Sequence, residues 1–255
     1  MKIKCLWALA CAGVLFASHS EAATNFAARV VDYNPGVDFS AGFTNTPSVL
    51  GDVSRVNPFG ESTDPFNPPY GKDQVLSVGA GGSVTIEFER PVRNHPHNPF
   101  DIDFIVFGNS GFIITNDFDP ILFDWVGVPA TDGSLLGANT GVTRVSVSRD
   151  GHNFYALAGA PTADIFAPTD GAGDSSVAFD PSLTASNFAG ATLQDMRALY
   201  QGSAGGTGFD ISSARNTRGR RVMLSFIRFV RIEVLSGKAE VDAFSGVTTI
   251  GKPRK

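Results

Sequence analysis

Acidic and amide side chains are concentrated around the stretch DIDFIVFGN, residues 101 to 109. Asp101 and Asp103 are two residues apart, so they would share one face of a strand just before an apolar run. Like charges this close need a cation, hydrogen-bond donors or exposure to water. Ca²⁺ binds about six to eight oxygen atoms from carboxylates, amides, backbone carbonyls and water. The oxygen-bearing side chains around this turn are Asp101, Asp103, Asn109, Asn116, Asp117 and Asp119.

Further acids lie near other predicted loops and strand starts: Asp170, Asp174, Asp210, Glu240 and Asp242. The two groups together predict a structural Ca²⁺. The alternative is that Asp and Asn stabilise turns by bonding to their own backbone. The sequence contains neither an EF-hand nor a glycine-aspartate nonapeptide repeat, so no calcium motif decides between the two interpretations.

Transition-metal and nucleophilic chemistry have less support. His95 and His97 are spaced to face one side of a strand, as zinc ligands could, but Pro96 and Pro99 break the strand and favour a solvated loop. A nucleophilic hydrolase needs an activated Ser or Cys beside an oriented His. The sequence has no Gly-x-Ser-x-Gly elbow. We therefore predict a protein that is not an enzyme, with a hydrolase or lyase that uses two carboxylates as the alternative.

Aromatic and basic residues suggest binding surfaces. Tyr70, in NPPYG, is the best candidate for an exposed platform because its neighbours form turns. Trp125 could also stack on a sugar ring, but it is two residues from Phe123, and the pair fits a sandwich core equally well. An arginine cluster comprises Arg215, Arg218, Arg220 and Arg221. We predict that Arg218 and Arg220 bind carboxylates or sulfates of a glycan, the alternative being a charged loop that protects a sheet edge.

The first 22 residues are typical of a secretory signal peptide. Lys2 and Lys4 precede an apolar run that is too short to span a bilayer, and cleavage is expected after Ala22. Both cysteines lie in this segment, so no disulfide is expected in residues 23 to 255. Removal of the segment changes the formal net charge from −5 to −6, which argues against nucleic acid as a partner. We expect a secreted product, extracellular or periplasmic, without a transmembrane segment after cleavage.

Hydrophobic periodicity predicts strands along most of the remaining chain. Val84, Ile86 and Phe88 alternate with polar residues, as in a half-buried strand. Similar patterns occur at 142–149, 154–157, 229–235 and 239–250, and 102–107 is apolar on both faces. One short helix is predicted to begin at Thr192 and to end near Gly202. Long polar loops join the strands. These features predict a single all-β domain over residues 23 to 255, a two-sheet sandwich with long loops.

Six stretches, in order, resemble one family. They are VVDYNPG with SVLGD (30–52), VLSVGAGGSVTIEF (75–88), DFIVFGN (103–109), VTRVSVSRDGHNFYAL (142–157), GGTGFDIS (205–212), and IRFVRIEVL with EVDAFSGV (227–247). The chain is similar to bacterial secreted cell-surface proteins with a discoidin-related, galactose-binding-like jelly-roll domain. Several of those proteins carry the C-terminal tail sorted by exosortases (PEP-CTERM). We expect no such tail here, because the sequence ends SGVTTIGKPRK.

The resemblance implies a jelly-roll fold and an acid near one loop end in the motifs that contain Asp210 and Asp242. With Asp103, these are the expected Ca²⁺ ligands. Departures from the family pattern at Gly108-Asn109 and at His95 and His97 weaken any inherited site there. The sequence thus predicts a secreted protein that binds a glycan or another cell-surface component, and a purely structural matrix protein is the third possibility.

Overall fold

The computed structural model describes residues 25–137, 141–163 and 166–248. Its strands are β1 (Ala27–Asn34), β2 (Leu76–Gly79), β3 (Ser83–Arg93), β4 (Phe104–Gly108), β5 (Gly111–Phe112), β6 (Phe118–Asp119), β7 (Asp124–Trp125), β8 (Leu135–Leu136), β9 (Val142–Ser148), β10 (Tyr155–Leu157), β11 (Thr207–Phe209), β12 (Ala214–Arg215), β13 (Phe226–Ser236) and β14 (Lys238–Gly246). The α-helix is α1 (Leu193–Tyr200), and short 3-10 helices cover Thr46–Val49, Pro99–Asp101, Ala185–Phe188 and Ile211–Ser213. The predicted signal peptide lies outside the described residues.

Two antiparallel sheets form the sandwich, which confirms the predicted all-β class. One sheet has the order β1-β3-β13-β9-β10-β12, and the other has the order β11-β4-β14-β2. Two small hairpin-like pairs, β5 with β8 and β6 with β7, extend from the second sheet. The doubly apolar stretch at 102–107 is explained by the position of β4, which lies between β11 and β14 and is buried along its whole length.

The main core lies between the two sheets and is rich in phenylalanine. Phe104 stacks on Phe209 with ring centroids 5.1 Å apart, and Phe88 meets Phe104 edge-on at 6.3 Å. Val84, Ile86 and Phe88 are fully buried, as their alternation predicts. Each such side chain contributes about 1.5–3 kcal/mol by leaving water. The core therefore gives the loops at both ends of the sandwich a rigid base.

A second, smaller core lies beneath α1. Thr192 and Asp195 form the predicted capping box, in which the Asp195 carboxylate accepts from the Thr192 backbone N–H at 3.0 Å. Met196 and Tyr200 are buried against Phe112 and Phe188. The helix ends at Gln201, which adopts a left-handed conformation one residue before the predicted stop. This core fixes the segment that carries β5 to β8.

Within the described residues, no helix is both long enough and apolar enough to cross a membrane.

Candidate functional site

The predicted calcium ligand Asp103 is a buried acid held by protein donors. Its Oδ1 accepts from the His95 N–H at 3.0 Å and from Asn98 Nδ2 at 2.9 Å, and its Oδ2 accepts from the Ile211 N–H at 3.0 Å. Burial raises the pKa of Asp103 to about 6, against the lowering effect of these bonds. Asp210 caps the 3-10 helix Ile211–Ser213 through the Ser212 N–H at 2.6 Å.

Asp242, the third predicted ligand, lies in a different environment. Its two oxygens accept from the backbone N–H of Ser54 at 3.0 Å and from the Ser54 hydroxyl at 2.6 Å. Burial raises the pKa of Asp242 to about 7. Asp103 precedes β4, whereas Asp242 is next to Val241, which pairs with Gly108 at the far end of that strand. The structure therefore does not gather the three acids into one ligand set.

The other acids and amides of the 101–119 segment act mostly within turns. Asp119 accepts from the N–H groups of Ile121 and Leu122, and the Asn116 side chain bridges the two sides of its hairpin. No group of three His, Cys, Asp or Glu side chains that could hold a metal ion occurs in ranges 25–137, 141–163 and 166–248. The hydrogen bonds agree with the turn alternative, and calcium binding stays a prediction.

The raised pKa values do not mark catalytic groups. Asp103 and Asp242 are each only 1 % exposed, so neither carboxyl can reach a substrate. Their pKa values are raised because burial penalises the charged form, a structural effect that needs no catalytic function.

Arg218 and Arg220 lie in an exposed turn beyond β12. The Asn216 side chain fixes this turn by accepting from both of their backbone N–H groups at 3.0 Å. Neither guanidinium forms an ion pair with any of the described residues. Arg221 binds the Ser212 carbonyl at 3.2 Å. The two arginines are therefore accessible.

Tyr70 is exposed, as predicted, and has an aromatic neighbour that the sequence analysis missed. The Tyr70 ring is 6.2 Å from the Phe59 ring, at an interplanar angle of 56°. Tyr70 is 39 % exposed and Phe59 82 % exposed. We call this pair the aromatic platform. Both rings follow an Asn-Pro and precede a Gly, in NPFG and NPPYG, and this repeated turn pattern could have identified Phe59.

The buried Asn57 and the half-buried Gln74 hold the platform in place. The Asn57 Oδ1 accepts from the N–H groups of Phe59 at 2.9 Å and Glu61 at 3.0 Å, which closes the turn that presents Phe59. Beside Tyr70, the Gln74 side chain accepts from the Gly71 N–H at 3.0 Å. Gly71 packs so tightly on Pro58 that a Cβ there would lie 3.0 Å from the proline ring. The two turns therefore support each other.

Exposed polar residues border the platform in the sequence. Glu61 and Ser62 follow the Phe59 turn, and Lys72 and Asp73 follow Tyr70. Two tilted rings with charged and hydroxyl neighbours can pack on the apolar face of a sugar while hydrogen bonds engage its hydroxyls. Arg218 and Arg220 do not contribute to this surface. The two arginines follow β12 and are close in the chain to Ile211, whose N–H binds Asp103 just before β4. The platform loop instead packs through Pro68 on Gly111, beyond the other end of β4.

A second exposed aromatic surface lies on the β6–β7 hairpin. Phe118 contacts Phe123 at 5.4 Å and Trp125 at 5.2 Å, both edge-on. Phe123 is 83 % exposed. The interpretation of Phe123 and Trp125 as sandwich core is wrong, because neither residue belongs to a buried cluster of the described residues. Alternation could not reveal this, since it does not indicate whether anything packs on either face of the strand.

No protein-family model and no curated protein sequence matches this chain. Among solved structures, the chain is similar to one described as a pectin binding carbohydrate binding module, with a TM-score of 0.30 and 8 % sequence identity. The alignment covers 89 % of this chain and 97 % of that one. At this score the likeness carries no argument about ligand.

Proposed function

We propose that this protein is a secreted, non-enzymatic glycan-binding protein and that the aromatic platform is its binding site. The observation that carries the proposal is the rigid exposure of Phe59 and Tyr70 as one pair. Exposed aromatic side chains held by buried polar supports mark a binding surface more strongly than scattered exposed residues do.

The polar border favours a glycan over an apolar ligand. Glu61, Ser62, Lys72 and Asp73 are exposed and close to the two rings in the sequence, and they offer donors, acceptors and charges of both signs. Specific sites for small ligands combine apolar contact with a few fixed polar groups in the same way. Because the border is not uniformly basic, the proposal does not require an acidic glycan.

A glycan array tests the proposal, with the protein from residue 23 onward as the probe. Variants Phe59→Ala and Tyr70→Ala should each lose about tenfold or more in affinity for the glycans that the unchanged protein binds, equivalent to about 1.4 kcal/mol. Phe123→Ala is the matched control, because Phe123 is as exposed as Phe59. Equal binding by all four proteins would reject the platform as the site.

The non-enzymatic part of the proposal has its own measurement. Mass spectrometry of the bound glycan after long incubation should give the original mass. Release of shortened or unsaturated products would establish the hydrolase or lyase alternative.

Secretion is proposed from the signal-like segment 1–22. N-terminal sequencing of protein exported by a bacterial host should begin at residue 23. Retention of the full-length chain in the cytoplasm would reject this part of the proposal.

A further inference from the structure

The tip of the β6–β7 hairpin is an apolar surface without a partner in the described molecule. Ile121, Leu122 and Phe123 are 91 %, 75 % and 83 % exposed, and Val128 is 70 % exposed. We call residues 117–128 the apolar hairpin. Its charged residues are three aspartates, Asp117, Asp119 and Asp124, and it contains no lysine or arginine. A contiguous apolar surface of this kind indicates a contact with another molecule.

The hairpin is stiff enough to act as a ligand. Asn116 Nδ2 donates to the carbonyls of Val126 at 3.0 Å and Val128 at 3.1 Å, and Asn116 Oδ1 accepts from the Ala130 N–H at 2.8 Å. The Val126 N–H also donates to the Asp117 carbonyl at 2.8 Å. Because the shape is fixed before binding, less entropy is lost on docking.

A complementary surface lies elsewhere on the same chain. An open cleft of about 500 Å³ lies between the β9–β10 turn and the segment before β13. It is lined by Arg149, Asp150, Asn153, Tyr155, Val222, Met223, Leu224 and Phe226. We call it the arginine cleft. Met223 is 78 % exposed there, so one apolar side chain of the lining is uncovered.

The charges of the two surfaces are opposite. Arg218, Arg220 and Arg221 are exposed immediately before Val222, and the Arg149 guanidinium lies over the Phe226 ring, 4.4 Å from its centroid. The cleft also contains one carboxylate, Asp150, whose oxygens accept from the N–H groups of Asn153 and His152. These bonds lower the pKa of Asp150, so this carboxylate is ionised. Arg149, Arg218, Arg220 and Arg221 outnumber this single carboxylate, so the cleft and its rim keep an excess of positive charge.

Within one molecule, the apolar hairpin and the arginine cleft do not cover each other. Phe123 and Met223 are both more than three-quarters exposed, so neither covers the other. They also connect to opposite ends of β4. The apolar hairpin follows β5, which comes after Gly108 at one end of β4. The cleft includes Phe226 at the start of β13, which pairs with Arg93. Arg93 is close to His95, whose N–H binds Asp103 at the other end of β4.

We infer that the apolar hairpin of one copy docks in the arginine cleft of a second copy. The apolar tip packs on Met223 and its neighbours, while the three aspartates face the arginine rim. Complementary charge of this kind sets the orientation and accelerates association. Because the two surfaces lie at opposite ends of β4, two copies do not bring both pairs of surfaces together at once, and the contact repeats head to tail into rings or filaments. This inference does not depend on the proposed glycan site.

Charge reversal tests the pairing directly. The first variant carries Asp117→Arg and Asp124→Arg, and the second carries Arg218→Asp and Arg220→Asp. In sedimentation velocity, the unchanged protein should form assemblies larger than dimers as its concentration rises, whereas each variant alone should remain a monomer. A mixture of the two variants should again form assemblies larger than dimers, in which the variants alternate. The reversed hairpin of the first variant matches the reversed rim of the second, and the unchanged hairpin of the second matches the unchanged rim of the first.

Controls separate this contact from general effects of charge and folding. Asp32→Arg with Glu89→Arg makes the same change of net charge as the first variant, on exposed strand positions, and should assemble like the unchanged protein. Phe123→Ala should weaken assembly about tenfold or more, while Phe59→Ala should not weaken it. A monomeric unchanged protein at all concentrations, or a mixture that stays monomeric, would overturn the inference. Binding of the monomer to phospholipid vesicles through Phe123 would also overturn it and assign the hairpin to a lipid surface.

Discussion

Single buried acids show how the surroundings of a residue decide its chemistry. Asp103 was predicted as a metal ligand because it stands beside a buried strand in an acidic stretch, and Asp242 because the family resemblance implies an acid at its position. In the structure, their oxygens accept hydrogen bonds from His95, Asn98, Ile211 and Ser54. Spacing along the sequence indicated that these carboxylates needed partners. It could not show that the partners are backbone and side-chain donors from remote loops.

The raised pKa of Asp242 predicts a pH-dependent stability. A carboxyl whose pKa is about 7 in the folded state and about 4 in the unfolded state binds more protons when folded. Its contribution to the free energy of unfolding is therefore largest below pH 4 and is lost as the pH rises through 7. In Asp242→Asn, the amide oxygen can accept from the Ser54 N–H while its nitrogen donates to the Ser54 hydroxyl.

We expect the free energy of unfolding of Asp242→Asn, relative to the unchanged protein, to increase from pH 4 to pH 8. The increase should be a few kcal/mol, since each pKa unit is worth about 1.4 kcal/mol. Urea unfolding at several pH values measures the difference, with the exposed Asp32→Asn as control. A difference that is the same at every pH would contradict the assigned burial effect.

Tyr70 and Phe59 mark the limit of prediction at this scale. Turn formers on both sides of Tyr70 correctly indicated an exposed ring. Phe59 has the same local pattern but was missed, because phenylalanine is normally counted as core. Their contact at 6.2 Å joins residues from two turns, and it depends on packing between Pro58 and Gly71 that no local pattern encodes.

Whole elements were predicted better than the surfaces they carry. The alternation over β3 and the capping box of α1 were confirmed, because each depends on residues close in sequence. The prediction for the β6–β7 hairpin was wrong, since its apolar residues resemble those of a core strand. Only the absence of a covering layer, which is a tertiary property, distinguishes Phe123 from Phe104.

At the same scale, Asn116 should control the rigidity of the apolar hairpin. Asn116→Ala removes the three side-chain bonds that join the two sides of the hairpin. We expect faster amide hydrogen exchange at residues 117–128, by about tenfold or more, if each bond contributes about 1 kcal/mol. The melting temperature should change little, because the buried clusters do not include this hairpin.

Hydrogen-exchange mass spectrometry tests this prediction. The control is Asn153→Ala, which removes a side-chain amide that bonds within the β9–β10 turn. That control should leave residues 117–128 unchanged. Unaltered exchange in Asn116→Ala would show that the hairpin owes its shape to other contacts.

For the whole molecule, calcium is a separate question from glycan binding. The calcium prediction requires a higher melting temperature in saturating Ca²⁺ than in EDTA. At a concentration of 100 Kd, one bound ion stabilises the folded state by about 2.7 kcal/mol. Melting curves recorded in Ca²⁺ and EDTA, with Mg²⁺ as control, provide the test. Superimposable curves would remove calcium from the account and leave the hydrogen bonds as the complete explanation for the buried acids.

The molecule keeps its two exposed aromatic surfaces chemically distinct. The aromatic platform has charged neighbours of both signs, whereas the apolar hairpin has only acidic ones. Substitutions in each surface should therefore affect different measurements, with Phe59→Ala altering glycan binding and Phe123→Ala altering assembly. A variant that lost both properties with an unchanged fold would show that the two surfaces act as one.

The central claim is that a sandwich of two sheets presents Phe59 and Tyr70 as a rigid platform for a sugar. Isothermal titration of the strongest array glycan tests it most directly, with the unchanged protein, Phe59→Ala combined with Tyr70→Ala, and the Phe123→Ala control. We predict saturable 1:1 binding to the unchanged and control proteins and no measurable heat with the double variant. Equal affinity in all three proteins, with circular dichroism confirming that each is folded, would contradict the account.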